Sequence, residues 1–233
     1  MKRKLVVSLL FAYLFLFSNV VFAEKEERSL PSFSKIALRI SANVYVEQGK
    51  KQEVRVEAQS SIIKDVITEV NGRTLIIRFP AKFLFRNFNT GKINVYVTMP
   101  EIDGLTLSGS GDIYVDKLET RILDLLVSGS GSLKIDNLSA ERISAAISGS
   151  GGVNIYDGEK ADELKISLSG SGDINALGIE AEEVRATIAG SGNSLVKSNG
   201  SLTARIVGSG NIFYEGNPYI ESSIVGSGTV KKK

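Results

Sequence analysis

Between residues 33 and 100, apolar and polar side chains alternate. The apolar positions are Ile36, Leu38, Ile40; Val44, Val46; Val54, Val56; Leu75, Ile77, Phe79; and Ile93, Val95, Val97. A period of two carried by β-branched residues predicts half-buried strands, because successive side chains of a strand point to opposite faces. Gly49 separates the second strand from the third, and Pro80 and Pro100 close two others. Asn71-Gly72, between Ile67-Thr68-Glu69-Val70 and Thr74-Leu75-Ile76-Ile77, predicts a tight hairpin.

Beyond residue 100 the alternation is punctuated by a repeat. Gly-Ser-Gly starts at residues 109, 129, 149, 170, 190, 208 and 226, with spacings of 20, 20, 21, 20, 18 and 18 residues. Two before each first glycine stand Leu107, Val127, Ile147, Leu168, Ile188, Ile206 and Ile224; four after it stand Ile113, Leu133, Val153, Ile174, Ser194, Ile212 and Val230. Ser194 breaks the apolar column, so Leu195 is expected to take the inward place through a local slip. Two short strands around a glycine corner cannot close a core alone and must stack on their neighbours. The expected fold is all-β: a right-handed parallel β-helix or β-solenoid with rungs of about 20 residues, preceded by an N-terminal β region. The hand follows from the crossover chirality of parallel sheets.

The structural corners are Gly109, Gly111, Gly129, Gly131, Gly149, Gly151, Gly170, Gly172, Gly190, Gly192, Gly208, Gly210, Gly226 and Gly228. Between them, Ser110, Ser130, Ser150, Ser171, Ser191, Ser209 and Ser227 form one column, whose hydroxyls could bond from rung to rung whether it faces in or out.

Composition narrows the chemistry. The 233 residues include no Cys, His or Trp, which removes imidazole bases, thiolates, disulfides and the usual zinc, copper and haem ligands. No catalytic, cofactor-binding or metal-ligating residue is assigned, and no cofactor is expected. Gly-x-Gly here leads into strands and not into the helix N-terminus a phosphate cradle needs. Asp112 and Asp173 follow a corner, but a calcium β-roll uses a nine-residue period. Asp116, Asp136 and Asp157 recur at nearly one place per repeat, which favours a turn column over a catalytic pair.

Lys2, Arg3 and Lys4 precede an apolar run from Leu5 to Val21, and Val21-Phe22-Ala23 before Glu24 suits cleavage. The organisation read from the chain is a signal peptide over 1–23, with an uncleaved anchor as the alternative, and then a charged, mobile spacer over 24–32. The N-terminal β region spans 33–100, the repeats 101–230 and a basic tail 231–233. The protein is expected to be exported, periplasmic or at the cell surface, with no stable membrane span after cleavage. Of the 28 basic residues three lie in the leader, and against 26 acidic ones this leaves a net charge of −1. Nucleic acid is therefore not an expected partner.

Two aromatic groups form a candidate contact patch: Phe83, Phe85 and Phe88, and farther on Phe213, Tyr214 and Tyr219. Packing over an open end of the core, or within a loop, is the competing reading of each. Lys231, Lys232 and Lys233 are read as discouraging another chain from adding to the last rung.

The order Phe33-x-x-Ile36, Val44-Tyr45-Val46-x-x-Gly49, Val54-x-Val56, Val70-x-Gly72-x-x-Leu75-x-Ile77, Ile93-x-Val95-x-Val97-x-Met99-Pro100, Leu105-x-Leu107-x-Gly109-Ser110-Gly111-Asp112-Ile113 resembles the bacterial head GIN domain family of auto-transporter adhesins, and Gly172-Asp173-Ile174-Asn175 is similar to the motif of its name. The resemblance implies an exported, β-helical envelope protein with no catalytic or cofactor residues. The expected function is a non-enzymatic scaffold or adhesin-like protein presenting its β-helix surface to an envelope polymer or protein, with self-association through an open end as a further prospect. The alternative is a polysaccharide-active β-helix enzyme.

Overall fold

The computed structural model describes residues 23–81 and 91–233. All of the expected signal peptide except Ala23 therefore lies outside the described residues, as do Phe83, Phe85 and Phe88. The strands are β1 (Ala23–Glu27), β2 (Lys35–Leu38), β3 (Asn43–Gln48), β4 (Glu53–Gln59), β5 (Ile67–Asn71), β6 (Thr74–Arg78), β7 (Asn94–Met99), β8 (Gly104–Gly109), β9 (Asp112–Gly129), β10 (Ser132–Gly149), β11 (Gly152–Gly158), β12 (Ala161–Gly170), β13 (Asp173–Gly190), β14 (Asn193–Gly208), β15 (Asn211–Glu215), β16 (Tyr219–Gly226) and β17 (Thr229–Lys232). They build a β-solenoid of about six turns with roughly 20-residue rungs.

The repeat sets the register. β9 and β10 pair in parallel from Ser132 with Asp112 to Gly149 with Gly129, so equivalent positions of successive rungs lie side by side. Ile113, Leu133, Val153 and Ile174 stack in the interior with Val127, Ile147, Leu168 and Ile188 facing them, all buried. The core is thus a set of aliphatic columns, each made by one position of the repeat.

At every Gly-Ser-Gly corner but the last the first glycine's carbonyl accepts two backbone bonds from the next rung: Ser130 N and Gly131 N both donate to Gly109 O, at 3.0 and 3.1 Å. The central serines are exposed at every corner, so the rung-to-rung bonding there is made by backbone. Side-chain laddering occurs instead just beyond the corner. Asn193 Nδ2 donates to Asp173 Oδ1 at 2.9 Å, Asn211 Nδ2 to Asn193 Oδ1 at 3.0 Å, and Thr229 Oγ1 to Asn211 Oδ1 at 2.7 Å.

The expected slip in the fifth rung does not occur. Ser194 pairs with Ile174 and is fully buried, while Leu195 faces outward beside Asn175 and Phe213. A one-residue slip would turn buried Val196 to solvent, and the neighbouring corner fixes the register. Ser194 Oγ consequently sits in the core without a hydrogen-bond partner.

Residues 33–100 share the same sheets as the repeats. β2 pairs in parallel with β6 on one side and β8 on the other, and β3 with β7 and β9. Ile40-Ser41-Ala42 lies under Gly109-Ser110-Gly111 as an early corner, since a Cβ on Gly111 would stand 2.1 Å from Ala42 O. The Asn71-Gly72 hairpin forms as expected, with Gly72 at φ +61°. β4 and β5 then run antiparallel along the outer edges of β7 and β6 and cap that end.

The charged spacer departs from expectation, because much of it is a strand. β1 pairs antiparallel with β4, Arg28 N donates to Val54 O at 2.8 Å, and Gln52 Nε2 donates to Leu30 O and Pro31 O at 3.2 and 3.0 Å. The β4 edge supplies unpaired backbone groups, and the chain satisfies them with its own preceding segment.

Candidate functional site

Three short sequences, Asn43-Val44-Tyr45-Val46, Asn94-Val95-Tyr96-Val97 and Asp112-Ile113-Tyr114-Val115, share one pattern. Its valines and isoleucines point into the core, so each tyrosine must point out. Because β3 lies between β7 and β9, the three tyrosines stand in one row in the order Tyr96, Tyr45, Tyr114. Adjacent ring centroids are 5.2 Å apart, with interplanar angles of 17° and 13°.

Both outer faces of this stack are covered by cations. Arg55 Cζ lies 4.6 Å from the Tyr96 ring centroid and Lys134 Nζ 4.8 Å from that of Tyr114. Each contact adds about 0.5–1 kcal/mol at such exposed positions. What the row offers to solvent is ring edges and hydroxyls, not ring faces.

The row floors an open groove of about 800 Å³. Glu27, Arg28 and Ser29 line it from the N-terminal segment, Lys51, Gln52, Glu53 and Arg55 from around β4, and Glu47, Asp116 and Asp136 from β3, β9 and β10. Tyr114 Oη donates to Asp112 Oδ2 at 2.8 Å; Lys134 Nζ approaches the same oxygen at 3.5 Å, and Asp112 Oδ1 accepts from Ser132 N at 2.8 Å. The Asp112 hydrogen bond, helped by burial, holds the Tyr114 phenol above its ordinary pKa. Burial, helped by the Glu57 carboxylate, does the same for Tyr96. Burial works against the Lys134 ammonium, but Asp112 and Tyr114 outweigh it and raise that pKa.

Of the candidate contact residues of the sequence reading, Phe213, Tyr214 and Tyr219 do not line this groove. Phe213 faces outward between Leu195 and Lys231, Tyr214 turns inward against the core, and Tyr219 is exposed on β16. Lys232 Nζ donates to Asn217 Oδ1, and Lys233 pairs with Glu215. Asp116 and Asp136, read as turn residues, are exposed on the groove side. Sequence reasoning missed the tyrosine row. The thrice-repeated Asn/Asp-aliphatic-Tyr-Val pattern was its available signal.

A family model described as "Putative auto-transporter adhesin, head GIN domain" matches residues 32–218. The chain belongs to that family. Several solved structures share its fold. The crystal structure of a "putative adhesin" from Bacteroides fragilis NCTC 9343 has a TM-score of 0.85 at 25% identity, covering 91% of this chain and 97% of its own. A "putative lipid binding protein" from Parabacteroides distasonis ATCC 8503 has a TM-score of 0.75 at 25% identity, covering 91% and 96%. A second "putative adhesin" from that organism has a TM-score of 0.70 at 25% identity, covering 92% and 98%. No curated protein matches. Among the described residues no helix is long and apolar enough to cross a membrane.

Proposed function

We propose that this head GIN domain is an exported, non-enzymatic binding module of the cell envelope, whose groove receives an extended polymer or polypeptide lying across the strands. The observation that carries the reading is the capped tyrosine row on the floor of an open groove, with polar side chains on both sides. Side chains repeated at the ~4.8 Å strand spacing suit a ligand that itself repeats. Membership of an adhesin-named family and the leader-like pattern of residues 1–23 support export.

Two arrays test it, one of bacterial envelope and host glycans and one of extended peptides, each probed with purified protein beside a turnover assay on the bound species. Retention without a change in ligand length is expected, weakened at least tenfold by Tyr45→Ala with Tyr114→Ala. Cleavage of a bound polysaccharide would overturn the proposal in favour of an enzyme.

A further inference from the structure

The groove carries a second row beside the tyrosines. Glu53 and Glu47 flank Thr98 across their strands, and Val46, Val115 and Ile135 stand in register. The residues that follow them, Glu47, Asp116 and Asp136, therefore line up, exposed, one step along from the rings. Like charges on neighbouring strands repel, so the row stands ready for a counter-charge from outside.

The groove's own cations do not supply it. Arg28 Nη1 bonds Glu26 at 3.0 Å, Lys51 bonds Glu53 at 2.8 Å, Arg55 covers Tyr96, and Lys134 is held by Asp112 and Tyr114. Among the described residues, Glu47, Asp116 and Asp136 form no such pair.

The tyrosine row selects further. With its faces closed it has no platform for a sugar ring, whereas its edges can take the methylene stems of long cationic side chains whose heads reach the carboxylates. An extended peptide repeats same-face side chains every ~7 Å, and three carboxylates on adjacent strands span ~10 Å, enough for two heads. Resting on the groove as a binding surface, we infer that its partner is an extended lysine- or arginine-rich polypeptide segment, with stems on the tyrosine row and heads on Glu47, Asp116 and Asp136. The near-zero net charge outside the leader means that such binding is local and not a general attraction.

Fluorescence anisotropy of labelled decalysine and decaglutamate with the purified protein tests this, with cellohexaose as a neutral competitor. Saturable decalysine binding that weakens with salt is expected. It should fall at least tenfold in the Glu47→Gln, Asp116→Asn, Asp136→Asn triple variant and be unchanged in Glu221→Gln on the opposite sheet. Decaglutamate should not bind. Undiminished binding by the triple variant, absence of decalysine binding, or displacement by cellohexaose would overturn the inference. If decalysine fails while Tyr45→Ala with Tyr114→Ala still abolishes retention on either array, only the partner chemistry falls. If those substitutions change nothing either, the groove itself falls.

Discussion

Gly149 has φ +127°, and a Cβ placed on it would stand 2.7 Å from Gly129 O. Gly151 has no positive φ, yet a Cβ there would lie 2.4 Å from Gly131 O and 2.6 Å from Val127 Cγ1. The two glycines of a corner are thus needed for different reasons: the first for its backbone conformation and the close rung below, the second for close approach alone. Ser150 between them points into solvent. Gly149→Val is therefore expected to lose at least ~3 kcal/mol or fail to fold, while Ser150→Ala changes stability by under ~0.5 kcal/mol. Urea denaturation of both variants distinguishes them, and equal losses would refute this account of the corner.

Among elements, the tyrosine row couples the capped end to the repeats, because Tyr96 lies on β7, Tyr45 on β3 and Tyr114 on β9. Each stacked pair contributes about 0.5–1.5 kcal/mol beyond the area it buries. Tyr96 and Tyr114 have pKa values raised above the ordinary phenol value. Their contribution is complete below the unfolded-state pKa of about 10 and is lost as pH rises through the folded-state value. Tyrosinate absorbance should show these two ionising later than exposed tyrosine, and urea stability should fall across that alkaline window. Tyr114→Phe should reduce that fall, and an unchanged fall would exclude Tyr114 as a contributor. The inward columns and glycine corners were legible in sequence because one 20-residue period carries both. The row was not, because Tyr45, Tyr96 and Tyr114 have no common spacing and become neighbours only when β3 enters between β7 and β9. Leu195 misled for a related reason: apolar character pointed inward, but the register imposed by its neighbours decided otherwise.

For the whole molecule, a stack whose rungs touch only their neighbours loses protection toward a weak end. The rung of β16 and β17 places Ser222 and Lys232 at positions that are aliphatic in most earlier rungs, and its Ile224 is 40% exposed. Amide hydrogen exchange is expected to be fastest in β16 and β17 and slowest in β10 and β13, whereas uniform protection would mean a single cooperative block. At the other end, the placement of β2 and β3 between strands that come later in the chain governs the order of assembly. Synthesis from the N-terminus delivers residues 35–48 before either of their flanking rungs exists. That segment must wait, unpaired, for residues 74–99 and then 104–115 to arrive. Growth from the leading end is closed to this chain, and its first stable rungs must form around a segment already delivered.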